Sequence, residues 1–248
     1  MGIIRLKNRL TILLALSCCC CCLVKATAAQ EELLTKGMAA YEQSQYAQAA
    51  GLLGQLLENN FYVAEAYRYG ALALVKLDRD REALAVLEHG VAHNPQSIPL
   101  LMEQGKLLAR LNRHSEAVTA YSQVIALNPK NAEAWKNRGV SQAQVGHFVE
   151  ALDDLDRAAA LSPEDPWVFN RRGMVKFCQG KYQEAVADFT RAIRVGPDQP
   201  LAYFFRGNVY LHHLHQKDKA MADYRRGCEL GHSLCCNELE KLQPRPAK

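Results

Sequence analysis

The side chains best equipped for chemistry crowd near the C-terminus, where Cys228, His232, Cys235 and Cys236 fall close together and His212 and His215 stand shortly before them. Thiolates and imidazoles are zinc donors, so Cys228, His232 and Cys235, helped by His212 or His215, are the one group to weigh as a metal site. Their spacing matches no strong zinc signature, and no metal or other cofactor is expected. The paired carboxylates Asp153 and Asp154 are neighbours on a helical stretch, so they point about 100° apart and do not converge as an acid and base would. His212, His213 and His215 sit at a turn and read as solvated imidazoles. The chain lacks a P-loop, a dinucleotide fingerprint, a G-x-S-x-G elbow and an H-E-x-x-H pair, so a non-enzymatic protein is expected.

Charge narrows the partner class. Of the 30 basic residues, four (Arg5, Lys7, Arg9 and Lys25) lie in residues 1–29, which hold no acidic residue. The net charge of +4 therefore belongs to that segment, and the remainder balances 26 basic against 26 acidic residues. A nucleic-acid partner has no electrostatic basis here. The same segment has the layout of a secretory leader: early basic residues, an apolar run from Leu10 to Val24, then Ala26, Ala28 and Ala29. That run is too short for a membrane-spanning helix, which needs about 20 apolar residues. Cys18 to Cys22 open a second reading, because Ala15, Leu16 and Ser17 before Cys18 imperfectly resemble a lipoprotein box. An exported protein of the periplasm or cell envelope is expected, tethered to a membrane only if Cys18 is lipidated or the leader is retained.

What positions the chemistry-bearing residues is a period of 34. Windows opening at Gln30, Ala64, Ile98, Ala132, Pro166 and Pro200 share a small residue at the eighth place: Gly37, Ala71, Gly105, Gly139, Gly173 and Gly207. The twentieth place holds Ala49, Ala83, Ala117, Ala151, Ala185 and, after one inserted residue, Ala220. The fourth and twenty-fourth places are bulky throughout, and Pro95, Pro129, Pro163 and Pro197 end four windows. Within each window the apolar spacing predicts two short helices, such as Ala132–Gln144 and Phe148–Leu161. Small residues let the two backbones approach, and proline stops the second helix. A lone hairpin cannot bury its apolar face, so the units must stack.

In AEAWKNRGVSQAQVGHFVEALDDLDRAAALSPED, residues 132–165, the order of Trp135, Gly139, Gly146, Ala151, Leu155, Ala158 and Pro163 resembles the tetratricopeptide repeat. The resemblance implies an all-α, right-handed solenoid of six units, 30–63, 64–97, 98–131, 132–165, 166–199 and 200–231, after a leader at 1–29. A capping helix and tail occupy 232–248. It further implies that the second, fifth, ninth, twelfth and thirteenth places of each first helix line a concave face that binds a peptide or protein. Arg68, Leu72, Met102, Lys106, Lys136, Asn137, Val140, Asn170, Met174, Phe204 and Asn208 are the candidate contacts. The first helices of windows two to six carry ten basic residues against three acidic, so a partner with acidic groups is expected. The family's chaperone-binding branch grips a carboxylate with a lysine and asparagine clamp; Met38, Leu72, Val140 and Met174 stand where asparagine would be needed, which excludes that activity.

YRRGCELGHSLCC, residues 224–236, resembles the cysteine-bearing Sel1-like relatives of the repeat, in which a late cysteine pairs with one eight residues on. The resemblance implies a Cys228–Cys236 disulfide in an exported protein, with Cys235 free; Cys178 is read as a buried hydrophobe. A redox- or metal-handling envelope protein using these cysteines is the alternative to an interaction scaffold. Finally, windows four to six alone combine arginine at the seventh place (Arg138, Arg172, Arg206) with aspartate at the twenty-third (Asp154, Asp188, Asp223). This covariation predicts a structural ion pair inside each of those hairpins. For the leader, intact mass and N-terminal sequencing of the mature protein should return a chain starting at Ala29 or Gln30; a lipid-modified Cys18 would instead identify a tethered lipoprotein.

Overall fold

The structure, a computed structural model, describes residues 28–58 and 63–242, so the leader readings, Cys18 and the tail lie outside the described residues. The described residues form thirteen helices and no strand. The first, α1, covers residues 28–42. Then follow α2 (Tyr46–Glu58), α3 (Ala64–Lys76), α4 (Asp80–His93), α5 (Ile98–Arg110), α6 (His114–Leu127) and α7 (Ala132–Gln144). The remainder are α8 (Phe148–Leu161), α9 (Pro166–Cys178), α10 (Tyr182–Val195), α11 (Pro200–His212), α12 (Lys217–Glu229) and α13 (Ser233–Leu242). The chain divides into two compact units at Leu107 and Leu108.

In the N-terminal unit, α3 packs against both α2 and α4. Ala40, Ala49 and Ala73 are buried beneath Tyr41 and Tyr46, and Leu53, Leu56 and Ala66 form a second cluster. Tyr41 meets the edges of Tyr46 and Tyr69 at centroid distances of 5.5 and 5.4 Å. That burial pushes the Tyr41 hydroxyl pKa upward.

In the C-terminal unit each helix from α6 to α13 packs on its chain neighbours, and the first helices α7, α9 and α11 also touch in succession. The periodic places do what their sizes demand. All twelve residues at the twentieth and twenty-fourth places across the chain are buried, from Ala49 and Leu53 to Ala220 and Tyr224. A Cβ added to Gly139 would lie 2.9 Å from the Ala151 carbonyl oxygen; one added to Gly173 or Gly207 would strike the ring of Phe189 or Tyr224 at 2.8 or 2.7 Å. The eighth place is therefore small because the ring or branched chain at the twenty-fourth place occupies its missing side chain's volume.

The starts and stops are local. Pro166 and Pro200 sit in the first turns of α9 and α11, and Asp165 caps α9 by accepting from Trp167 N at 2.9 Å. The inter-helix turns are less glycine-dependent than the sequence suggests. The fifteenth place adopts left-handed φ in every window: Gly146 and Gly180, but also Ser44, Asp78 and Asn112, and His215 after the insertion. The turn after α11 thus keeps its conformation without glycine, using a residue for which that conformation is uncommon.

Gly139→Val should collide with a backbone oxygen that cannot move aside and cost about 1–3 kcal/mol. His215→Gly should stabilise by about 0.5–1 kcal/mol by relieving the left-handed strain. Thermal unfolding of both variants beside the parent checks the opposite signs.

Candidate functional site

The arginines decide which charges remain at the surface. Arg138 donates from Nε and Nη2 to the two carboxylate oxygens of Asp154, at 2.7 and 2.8 Å. Arg172 makes the same fork with Asp188, and Arg206 with Asp223 at 2.9 and 2.7 Å. The three aspartates are buried, and each fork joins the two helices of one hairpin. Each arginine also extends Nη1 backwards to the preceding hairpin: Arg138 to Ser122 Oγ at 3.0 Å, Arg172 to Asp156 Oδ1 at 2.7 Å, and Arg206 to Thr190 Oγ1 at 2.9 Å. All three partners stand at the twenty-fifth place of the previous window. Sequence reasoning missed this rung, although a polar residue at that place ahead of every arginine window was its visible trace.

Burial alone would depress the Arg172 and Arg206 guanidinium pKa values, but hydrogen bonding and the charges of Asp188 and Asp223 reverse this and drive both upward. Aromatic faces complete the setting. Arg138 lies 4.9 Å from the Trp135 ring centroid and Arg172 5.5 Å from that of Phe169.

These bonds account for most of the basic excess on the first helices of this unit. Lys176 pairs with Asp188 at 2.9 Å, and Lys136, a candidate contact, donates to Asp165 at 2.7 Å. Arg171 has no carboxylate partner among the described residues; its Nη1 rests 3.9 Å from Met174 Sδ. A general acidic preference is thereby reduced to one position.

Arg171 borders a cleft on α7, α9 and α11. Val140, Ala143, Gln144, Phe148, Arg171, Met174, Val175 and Cys178 line a hollow of about 170 Å³. Met174, Phe177, Cys178, Phe189, Phe205 and Asn208 line a second of about 220 Å³. Met174 and Cys178, one helical turn apart, belong to both. Tyr224 donates its hydroxyl hydrogen to Asn208 Oδ1 at 2.7 Å, which turns the Asn208 amide N–H group away from that bond and leaves it as a donor. The cleft floor is apolar, with polar groups from Arg171, Gln144 and Asn208 at its margins.

The candidate contacts divide accordingly. Val140, Met174 and Asn208 come together in the cleft. Asn137 on α7 is half-buried and lines neither hollow. Asn170 is only 3% exposed, with neither amide atom hydrogen-bonded, so it is an interior residue rather than a surface contact. Phe204 is covered from the C-terminal side, its ring 5.2 Å from His232. In the N-terminal unit Met102 is 6% exposed and therefore core, Leu72 is half-buried, Lys106 bonds Glu103 at 3.3 Å, and Arg68 lies over the Tyr69 ring.

Two further readings are corrected. Cys178 is exposed in the cleft rather than buried, because it occupies the last turn of α9 on the same stripe as Met174. His213 is packed rather than solvated, stacked on Tyr182 at 4.0 Å and edge-on to Phe177 at 5.1 Å. Phe177, Cys178 and Ala143 were reachable from the sequence as the twelfth and thirteenth places; Phe205 and Phe189 were not, since they enter from other faces.

At the C-terminus Cys228 and Cys236 are disulfide-bonded, Cα to Cα 4.7 Å, joining α12 to α13. Cys235 is free and fully buried against Ala220, Tyr224 and Gly227. Burial, and then the charge of Asp223, push its thiol up to about 11, so it is a poor nucleophile near neutrality. No group of three or more His, Cys, Asp or Glu among the described residues is arranged to hold a metal ion, and none of the described helices is long and apolar enough to cross a membrane.

Comparison with known sequences agrees with this architecture. Profiles described as tetratricopeptide repeats match residues 34–98 and 104–168, and one described as TPR repeat matches 173–213. The chain is built of tetratricopeptide repeats. No curated protein matches it. Among solved structures, MamA 41-end from Desulfovibrio magneticus RS-1 is 20% identical, covers 68% of this chain and 96% of its own, and superposes with a TM-score of 0.61. MamA AMB-1 is 23% identical over 66% of this chain and 96% of its own, with a TM-score of 0.60. Another MamA protein is 18% identical, covering 75% and 98%, with a TM-score of 0.59. At such identities the likeness carries the fold of the repeat chain alone.

Asp188→Asn removes the shared partner of Arg172 and Lys176 and should cost this repeat chain about 2–3 kcal/mol, since it breaks the buried fork and leaves the two cations only the exposed carboxylates of Asp156 and Glu184. Asp156→Asn, on a side chain 63% exposed, should cost under about 1 kcal/mol. Urea unfolding separates the two; equal losses would remove the buried fork from the stability account.

Proposed function

We propose that this repeat protein is a non-enzymatic interaction scaffold of the cell envelope that holds an extended peptide segment of a partner across α7, α9 and α11. One observation carries the reading: the first helices build an apolar cleft as two adjoining hollows of about 170 and 220 Å³. Neither hollow alone reaches the roughly 300–1,000 Å³ of a small-molecule or cofactor site, and the two meet at Met174 and Cys178 to form one elongated apolar cleft. Two apolar anchors of a peptide, spaced along one stripe, fit it better than a compact metabolite. Arg171, lacking a carboxylate of its own, adds preference for an acidic residue beside the anchor that enters the α7 side. The leader-like N-terminus supports export, and the sequence around Cys228 and Cys236 supports a Sel1-like closing unit. Of the redox- or metal-handling alternative, the metal reading gains no support from the C-terminal cysteines, because two of them are joined to each other and the third is buried.

Selection of a displayed random-peptide library on the full chain tests this. Enriched peptides should carry two apolar residues with an acidic neighbour. Met174→Lys should weaken their binding at least tenfold, Arg171→Glu should abolish the acidic preference, and Lys106→Glu should change little. Enrichment insensitive to Met174→Lys, or no enrichment, would overturn the reading.

A further inference from the structure

The closing helix is held by very little besides its disulfide. It is ten residues long, below the roughly 12–15 at which an isolated helix becomes even marginally stable in water. Cys235 is its one fully buried side chain; Leu239 and Leu242 are partly covered, and Leu234 is 51% exposed. Gly227 on α12 makes room for it, since a Cβ there would collide with Cys235 Sγ. The Cys228–Cys236 bond then fixes α13 across a short loop at Gly231, whose φ is +84°.

What α13 covers leads back to the cleft. Cys235 packs on Tyr224, whose ring fills the space at Gly207 and whose hydroxyl orients Asn208 at 2.7 Å. Asn208 lines the larger hollow, and Phe204, one turn earlier on α11, lies against both His232 and Tyr224. Docking of α13 and the geometry of the α11 side of the cleft therefore share one aromatic residue.

We infer that the Cys228–Cys236 disulfide is a redox latch: oxidised, it holds α13 on Tyr224 and keeps Asn208 set; reduced, it releases α13, uncovers Phe204 and loosens the α11 wall of the cleft. This regulatory role rests on the reading of the cleft as the binding site. The reductant is a dithiol, which passes two electrons and two protons to the bond. The S–S bond breaks, Cys228 and Cys236 become thiols, and the dithiol becomes a disulfide. The released helix frays because loss of the cross-link lowers the cost of local opening, and a terminal element with one buried anchor opens first.

The test needs no partner, so its outcome is separate from that of the peptide selection. Full-length protein and the Cys228→Ser/Cys236→Ser variant are treated with a maleimide, and alkylation of Cys235 is followed by mass spectrometry of its peptide. The variant should label at least tenfold faster than the oxidised parent, and a dithiol should bring the parent to the variant's rate. Amide exchange in α11 around Asn208 should quicken in parallel, and Tyr224→Phe should quicken it with the disulfide intact. Protection of Cys235 in the variant equal to that in the parent would overturn the latch. Fast labelling with unchanged exchange in α11 would overturn its connection to the cleft.

Discussion

The close approach at the eighth place governs the C-terminal unit. Gly139, Gly173 and Gly207 have no side chain, so Leu155, Phe189 and Tyr224 enter the volume each would have filled. That contact fixes the separation and rotation of the two helices in a hairpin. It also fixes their neighbours in sequence. Arg138, Arg172 and Arg206 precede those glycines, and Asp154, Asp188 and Asp223 precede the bulky residues, so the guanidinium and carboxylate arrive already facing each other. The forks are a consequence of packing and draw their geometry from it. Their stability contribution depends on that order, because a buried charge gains from a partner only when little has to be rearranged to reach it.

The same bonds redistribute the protein's charge. Counting basic side chains on first helices suggests a positive surface, yet Arg138, Arg172, Arg206, Lys136 and Lys176 all engage carboxylates supplied by α8, α10, α12 or the loop before α9. What the cleft itself presents is an apolar floor around Met174 with the Arg171 guanidinium at its edge. Charge composition is a weak guide to a helical repeat surface whenever adjoining helices carry the opposite sign.

The hairpins were legible because their determinants recur. Places eight, twenty and twenty-four are read from sizes alone, and the bounds Ala132–Gln144 and Phe148–Leu161 follow from spacing, turn and proline. Within-hairpin ion pairs were visible as covariation of Arg with Asp. Contacts between hairpins were less legible: Ser122, Asp156 and Thr190 differ in type, so their common role is hidden until the neighbouring arginine is seen to reach them. The exposure of Cys178 and the burial of Asn170, eight residues apart on one helix, depend on how much of α9 its neighbours cover, which a single-helix pattern does not contain. His213 was misread for a related reason, since Tyr182 and Phe177 approach it from other helices.

The backward rungs give the array a property that belongs to its grammar rather than to any one hairpin. The hairpins 132–165 and 166–199 each carry an acceptor at the twenty-fifth place, Asp156 or Thr190, for the arginine that follows and an arginine, Arg138 or Arg172, for the acceptor that precedes. Removing the 34 residues from 132 to 165 would bring Arg172 opposite Ser122, and the rung would close on a hydroxyl instead of a carboxylate. Duplicating the same stretch would close two rungs on Asp156 carboxylates. The junctions are thus interchangeable in kind, and the chain can lengthen or shorten by whole periods without leaving a guanidinium stranded. A change of any other length between an arginine and the acceptor before it would break the register of that rung.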